Sequence, residues 1–152
     1  MQATIISDTS CLILLDKIDE LDLLHKLFGE VITTQAVAEE YGKPLSLWVR
    51  IQNSKDLKTL LVLEAALDKG EASAIALALE QEGSLLIIDE YRGRKLAWQL
   101  GLTITGTLGI LAQAKEKGLI PMLKPLLDRI NQTDFRLSEK LVMEVLRQVG
   151  EL

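Results

Sequence analysis

The feature that most constrains the fold is a short apolar run, Leu85 to Ile88, that ends abruptly in Asp89. A continuous apolar run of strand length, without alternation, is typical of a central parallel strand covered on both faces. In open α/β sheets the ligand crevice forms at the carboxyl ends of the strands, which is where Asp89 would lie. The amino terminus repeats the pattern, because Thr4 to Ser7 forms a predicted strand that stops at Asp8. We therefore expect two aspartates, far apart in sequence, to meet in space.

Predicted strands and helices alternate along the 152 residues, and their connections are too short to separate domains. Aromatic residues make up 4% of the chain, so aliphatic side chains must fill the core, which favours helices packed on a parallel sheet. The sequence predicts one doubly wound α/β domain over residues 1–152. Further strands are expected at 31–33, 47–51 and 102–105, and helices at 11–15, 18–27, 34–41, 57–67, 71–81, 90–100, 106–117, 121–130 and 138–149, with Thr9 and Ser10 capping the first helix.

The residue types present limit the possible chemistry. His25 is the only histidine and Cys11 the only cysteine, which excludes histidine-based triads, disulfides and cysteine or histidine zinc sites. Apolar runs stay below the roughly 18 residues of a membrane span, and the amino terminus lacks a targeting pattern, so we expect a cytoplasmic protein. A net charge of −5 argues against binding nucleic acid through bulk positive charge, although a local basic patch is compatible with it.

Helical periodicity singles out two glutamates. On the helix that follows Thr34, Glu40 falls within the apolar arc, whereas Glu39 falls outside it. On the helix at 71–81, Glu71 lies on the apolar face, one turn before Ile75. Glu71 could alternatively serve the helix dipole from the first turn. Both side chains are expected to point toward the core, where an unpaired charge is costly.

Four carboxylates are thus expected at strand ends or on inward faces: Asp8, Glu40, Glu71 and Asp89. Two such charges about 4 Å apart, at an effective dielectric constant of about 20, repel each other by about 4 kcal/mol. The cluster would be costly on its own and becomes favourable around a divalent cation. Ligation by oxygen alone suits Mg²⁺ or Mn²⁺.

The order of the motifs resembles the PIN-domain family, and most closely the small free-standing PIN proteins related to VapC-type toxins. The motifs are Ile-Ile-Ser-Asp8-Thr-Ser, Ala-Val-Ala-Glu-Glu40, Gly-Glu71-Ala-Ser-Ala-Ile-Ala, Ile-Ile-Asp89-Glu and Thr-Gly-Thr107-Leu-Gly. The resemblance implies a Rossmann-like three-layer α/β/α fold with a mostly parallel central sheet. It also implies a metal-dependent endoribonuclease that uses Mg²⁺ or Mn²⁺ and acts on RNA.

Residue roles follow from the same resemblance. Asp8, Glu40, Glu71 and Asp89 match the first to fourth acids of the family's metal site, although the family often has aspartate at the position of Glu71. Thr9 or Ser10, together with Thr107, match polar positions that would orient a ligand or water. A toxin-like nuclease would further imply a partner antitoxin.

Three basic residues follow Asp89 closely: Arg92, Arg94 and Lys95. They could contact RNA phosphates beside the acids, or they could form a solvated helix face. The apolar side of the helix at 137–146 could likewise mediate a homodimer or pack on the domain.

Two other functions remain open at the level of sequence. The chain could be a catalytically inactive binding module of the same fold that acts through a partner protein. It could also transfer phosphate with Asp8 as nucleophile, although a second aspartate two residues after Asp8 is missing.

Overall fold

A computed structural model describes residues 3–152 and contains an entirely parallel sheet between two layers of helices. The strands are β1 (Ile5–Ser7), β2 (Val31–Thr33), β3 (Val49–Ile51), β4 (Leu85–Ile87) and β5 (Thr103–Thr105). The helices are α1 (Thr9–Lys17), α2 (Asp22–Phe28), α3 (Gln35–Tyr41), α4 (Leu57–Glu64), α5 (Lys69–Glu80), α6 (Tyr91–Gln99), α7 (Thr107–Glu116), α8 (Lys124–Asn131) and α9 (Glu139–Gln148). The predicted α/β fold with three layers is confirmed.

The sheet order, β3-β2-β1-β4-β5, places the two acid-ended strands side by side. The chain winds outward from β1 through β2 to β3, returns to β4 on the other side of β1, and winds outward again to β5. The point of reversal lies between β1 and β4, where Ser7 pairs with Ile87. Ligand crevices in doubly wound sheets open at this switch point, so the topology brings Asp8 and Asp89 to its edge.

Each face of the sheet has its own apolar core. Ile5 and Ile87 point toward the layer formed by α1, α2, α7, α8 and α9. Ile6 and Leu86 point toward the opposite layer, which α5 and α6 dominate. Because successive strand residues face opposite sides, short strands that are buried on both faces must be apolar throughout. This explains the unbroken apolar run of β4 and the two isoleucines of β1. The third residue of β1, Ser7, is also buried, and its hydroxyl donates to the Asp8 carbonyl.

Several helix starts differ from the predictions. Helix α2 begins at Asp22 rather than at Ile18, and helix α5 begins at Lys69 rather than at Glu71. Helix α1 begins at Thr9, and its cap is Asp8 rather than Thr9 or Ser10, because Asp8 Oδ1 accepts the N–H of Cys11 at 3.1 Å. Helix α8 begins at Lys124 rather than at Pro121. Its first N–H groups bind a distant carboxylate, so a tertiary contact fixes that start.

That carboxylate belongs to Glu151, whose side chain is 5% exposed. Its Oε2 accepts from Lys115 Nζ at 2.8 Å and from the N–H of Leu123 at 2.6 Å, and its Oε1 accepts from the N–H of Lys124 at 3.0 Å. The contact fastens the segment after α9 to α7 and α8. Helix α9 also packs on α7, with Leu146 buried.

Within residues 3–152, the helices are all too short or too polar to cross a lipid bilayer.

Candidate metal centre

Asp8 and Asp89 meet at the switch point, as expected. Asp8 is 1% exposed, and its Oδ2 accepts the N–H of Asp89 at 3.1 Å while its Oδ1 caps α1. Burial, followed by the nearby charge of Asp89, raises the pKa of the Asp8 carboxyl to about 7. The two backbone hydrogen bonds oppose that rise, because they stabilise the ionised form.

Asp89 is held in place by the first residue of α7. The N–H of Thr107 donates to Asp89 Oδ1 at 2.8 Å, and Thr107 Oγ1 donates to Oδ2 at 2.6 Å. Thr107 itself is 1% exposed, so its hydroxyl is fixed by packing. The predicted polar position therefore acts on the carboxylate directly.

Glu71 lies in the first turn of α5 and is 7% exposed. Its Oε2 is buried without a hydrogen-bond partner among the described residues. Burial, followed by the charges of Asp68 and Glu90, raises the pKa of Glu71 to about 8. Helix α6 can approach this oxygen because it has glycine there: a Cβ at Gly93 would lie 2.8 Å from Glu71 Oε2. The expectation that Glu71 points inward is confirmed.

Glu40 differs from its prediction. It is exposed, because it lies in the last turn of α3, at the rim of the domain, one turn beyond the fully buried Val37. Its Oε1 nevertheless reaches the crevice side, where it accepts from Thr9 Oγ1 at 3.1 Å and occupies the space beside Gly70. Desolvation raises the pKa of Glu40, and the Thr9 hydrogen bond opposes the rise. Ser10 lies half-buried in the first turn of α1.

Two acids that sequence reasoning missed complete the crevice. Carboxylate oxygens of Asp68, Glu71 and Glu90 lie within 4.8 Å of one another, so this group could hold a metal ion. Asp68 had the sequence pattern of a helix break, and its side chain does cap α5 by accepting from the N–H of Glu71 at 2.9 Å. Glu90, next to Asp89, could have been recognised as a second acid at the same strand end. The three acids line a cavity of 360 Å³ together with Arg92.

The basic residues of α6 have unequal freedom. Arg92 is exposed, and its Nη2 donates to the carbonyl of Ala66 at 2.8 Å at the mouth of the cavity. Arg94 is half-buried, and its Nη1 donates to the carbonyl of Ile88 at 2.8 Å. Lys95 is exposed. Arg92 and Arg94 are thus both bound to a backbone carbonyl, but the exposed Arg92 and Lys95 are more accessible to a ligand than the half-buried Arg94.

The donors of the crevice fit a hard divalent cation. They are carboxylate oxygens, the ligands that Mg²⁺ and Mn²⁺ prefer, and one of them is a buried oxygen that lacks a donor. Buried carboxylates with raised pKa values are typical of functional sites. A bound cation would offset the repulsion among the carboxylates and would give Glu71 Oε2 a partner.

A family model described as a PIN domain matches residues 4–151, which is nearly the whole chain. A search of curated proteins found no match.

Proposed function

Because the chain belongs to the PIN-domain family, whose members are generally nucleases, we propose that it is a metal-dependent endoribonuclease that hydrolyses RNA phosphodiester bonds. The observation that carries the proposal is the buried Oε2 of Glu71, which has no hydrogen-bond partner within residues 3–152 and lies among carboxylates near the switch point of the sheet. Burial of an unpaired carboxylate costs free energy, so a buried acid of this kind calls for a partner such as a cation. The sheet edge is also where ligands bind in doubly wound folds.

We assign the roles of the chain's own residues as follows. Asp8 and Asp89 offer carboxylate oxygens to Mg²⁺ or Mn²⁺, and Thr107 keeps Asp89 in position through two hydrogen bonds. Glu71 and Glu40 ligate the ion or orient water beside it. The cation, when bound, supplies Lewis-acid chemistry: it lowers the pKa of water and neutralises charge that develops on the phosphate.

Arg92 and Lys95 supply the proposed contacts to RNA, since both are exposed on α6, directly after the acids. Their positive charges would offset the repulsion between the phosphate backbone and a crevice of carboxylates. Arg94 is proposed to act indirectly, because its hydrogen bond holds the carbonyl of Ile88, which precedes Asp89.

The physiological role we propose is that of the toxin-like component of a toxin–antitoxin pair, acting as a single domain in the cytoplasm. The support is the likeness to small free-standing PIN proteins. Expression of the chain alone should arrest bacterial growth, and the Asp89→Asn variant should not. Growth that is unaffected by an active nuclease would contradict the toxin role and leave the nuclease assignment intact.

The decisive experiment is cleavage of a mixed RNA substrate by purified protein in Mn²⁺, in Mg²⁺ and in chelator. The Asp89→Asn variant tests the crevice, and Asp128→Asn, an exposed aspartate of α8, is the matched control. We expect cleavage that requires metal, persists in Asp128→Asn and falls at least about a hundredfold in Asp89→Asn. Absence of cleavage, together with absence of any rise in Tm on adding Mn²⁺, would instead favour an inactive binding module.

Transfer of phosphate to Asp8 has less support from the structure. Asp8 is 1% exposed, and both of its oxygens accept backbone N–H groups. A nucleophilic carboxylate needs space for a whole phosphate group in line with one of its oxygens, which a side chain that is 1% exposed does not provide. Ligation of a cation needs only one of the remaining lone pairs.

A further inference from the structure

Helix α6 carries two aromatic side chains that are strongly exposed. Tyr91 is 76% exposed and Trp98 is 72% exposed. The other aromatic residues are half-buried and pack against the core on the α1 side of the sheet: Phe28, Tyr41, Trp48 and Phe135. The rings of α6 therefore contribute little to the stability of the core, and exposed apolar groups that lie together commonly mark an interaction surface.

Tyr91 and Trp98 share one face of α6 with a lysine. Seven residues correspond to nearly two turns, so the two rings lie within about 20° of each other around the helix axis, and Lys95 lies about 40° from Tyr91. Lys95 is exposed, whereas Gly93 and Ala97 on the opposite side of the helix are buried. The exposed face therefore has an aromatic ring at each end and an ammonium group between them.

The charge of α6 is opposite to that of the whole chain. Residues 91–99 contain three basic residues and no acidic residue, whereas the chain has a net charge of −5. The face also begins at the candidate metal centre, because Tyr91 lines a cavity of 520 Å³ together with Asp89 and Thr107. The exposed face of α6 is therefore complementary in charge to RNA and continuous with the proposed site of cleavage.

The spacing of the rings suits a strand that runs along the helix. Each helical residue adds about 1.5 Å, so Tyr91 and Trp98 lie about 10 Å apart along the axis. This is about three times the rise of about 3.4 Å per nucleotide of a helical strand, so the two rings would meet different bases. Aromatic side chains stack on the faces of unpaired bases, which a duplex does not offer.

We propose that Tyr91 and Trp98 stack on bases of single-stranded RNA while Lys95 contacts a phosphate between them, so that α6 leads the strand to the acids. The inference rests on the nuclease function proposed above, and it adds the form of RNA that the site accepts. Stacking tolerates every base, so this face selects unpaired RNA rather than a particular sequence.

The test measures binding of a short uridine oligonucleotide, alone and paired in a duplex, to the full chain by fluorescence anisotropy. Every protein carries Asp89→Asn, so that RNA is not cleaved. Trp98→Ala and Tyr91→Ala each remove one ring and leave the core intact, because both rings are exposed. Trp98→Phe keeps an aromatic ring. Leu61→Ala, which removes an exposed apolar side chain from α4, is the matched control.

We expect Trp98→Ala and Tyr91→Ala each to weaken binding of the single strand about tenfold. Trp98→Phe should retain most of the affinity, and Leu61→Ala should bind like the Asp89→Asn parent. Because the rings are uncharged, the slope of log K against log salt should stay the same in both ring variants, in contrast to the loss of a phosphate contact. Binding of the duplex should be weaker than that of the single strand and insensitive to removal of the rings.

Unchanged single-strand affinity in both ring variants would overturn the stacking proposal and leave the nuclease proposal standing. An equal loss for duplex and single strand, or a changed salt slope in the ring variants, would also overturn it, because neither is the result of losing a stacked base. A parent dimer that Trp98→Ala converts to a monomer without loss of RNA affinity would assign the face to a second copy of the chain. Absence of RNA binding in the parent would overturn both proposals.

Discussion

Glu71 links the two groups of acids in the crevice, because its carboxyl is close enough to Asp68, Glu90 and Asp8 for each to raise its pKa. Burial is the largest cause, and it brings the pKa to about 8. Without metal, Glu71 is therefore protonated at neutral pH, whereas the same residue in the unfolded chain is ionised. Folding takes up protons at this position, and cation binding must release them.

Stability of the metal-free protein should consequently fall as pH rises. Glu71 and Asp8 have folded pKa values of about 8 and about 7, above their unfolded values, so the folded state binds more protons than the unfolded state across this window. Stability is then complete below the unfolded pKa values and is lost toward the folded ones. Between about pH 5.5 and pH 8.5 in chelator, we expect the free energy of unfolding to drop by about 5 kcal/mol, with about 3 kcal/mol from Glu71 and about 2 kcal/mol from Asp8.

The control for this prediction is Glu71→Gln, which keeps the shape and removes the ionisable group. It should be more stable than the wild type at high pH, and its stability should depend less on pH. Saturating Mn²⁺ should reverse the wild-type trend, because the cation binds the ionised carboxylates. Urea denaturation at each pH measures the free energy of unfolding for the wild type in chelator, for Glu71→Gln and for the wild type in Mn²⁺. An identical pH dependence in wild type and Glu71→Gln would show that Glu71 titrates normally.

At the scale of elements, the start of α5 controls how closely Glu40 approaches the crevice. A Cβ at Gly70 would lie 1.7 Å from Glu40 Oε1 and 3.1 Å from Thr9 Oγ1. Glu40 is exposed and can swing away, but only by giving up its hydrogen bond to Thr9. Glycine at position 70 thus permits a contact between α3, α1 and α5 that a side chain would prevent.

We therefore expect Gly70→Ala to separate activity from stability. Alanine favours the helix by about 1 kcal/mol over glycine, so Tm should stay constant or rise. The rate of RNA cleavage should fall about tenfold or more, because Glu40 is displaced from the ion or water that it is proposed to hold. Lys69→Ala, at the exposed neighbouring position, is the control. An unchanged rate in Gly70→Ala would remove Glu40 from the site.

The start of α8 depends on Glu151 in a different way. Its carboxylate accepts two backbone N–H groups and pairs with Lys115 while being almost fully buried. In Glu151→Gln, the side-chain NH₂ group would face N–H groups that need an acceptor. The Lys115 ammonium would also lose its negatively charged partner. We expect a loss of about 2–4 kcal/mol in the free energy of unfolding, measured with urea. Glu144→Gln, on the exposed side of α9, should have little effect.

These elements also show what the sequence could and could not predict. Patterns within one element were sufficient for the parallel sheet and for the inward direction of Glu71. Periodicity predicted the side of α3 on which Glu40 lies, but it did not predict that Glu40 is exposed. The direction of a side chain around a helix does not say how far along that helix the core extends. Asp68 and Glu90 meet only because α5 and α6 converge, which is a tertiary relation.

At the scale of the whole molecule, the proposed nuclease function requires a chain with a net charge of −5 to bring a polyanion to a crevice of carboxylates. Binding therefore depends on the few cations near the crevice and on the bound metal. Arg92 and Lys95 are exposed on α6, whereas Arg94 is committed to the Ile88 carbonyl. Their contributions should differ accordingly.

The salt dependence of RNA affinity should show the contributions of Arg92 and Lys95. In an Asp89→Asn background, which blocks cleavage, Arg92→Ala and Lys95→Ala should each weaken binding uniformly across sequences. Each should reduce the slope of log K against log salt by about 0.7, as expected for one lost phosphate contact to a single strand. Arg147→Ala, on α9, should leave the slope unchanged. Fluorescence anisotropy at several salt concentrations measures the slopes, and unchanged slopes for both α6 variants would place RNA elsewhere.

Asp8 serves the fold and the proposed chemistry with the same two oxygens, since one caps α1 and the other holds the N–H of Asp89. A descendant of this protein that had lost its chemistry would still be under selection to keep a hydrogen-bond acceptor at position 8. Conservation of Asp8 among related proteins would therefore reflect its role in the fold as much as a role in catalysis. Glu71, whose unpartnered oxygen burdens the metal-free fold, would be the first of the acids to drift, and its loss would be the better sign of an abandoned enzyme.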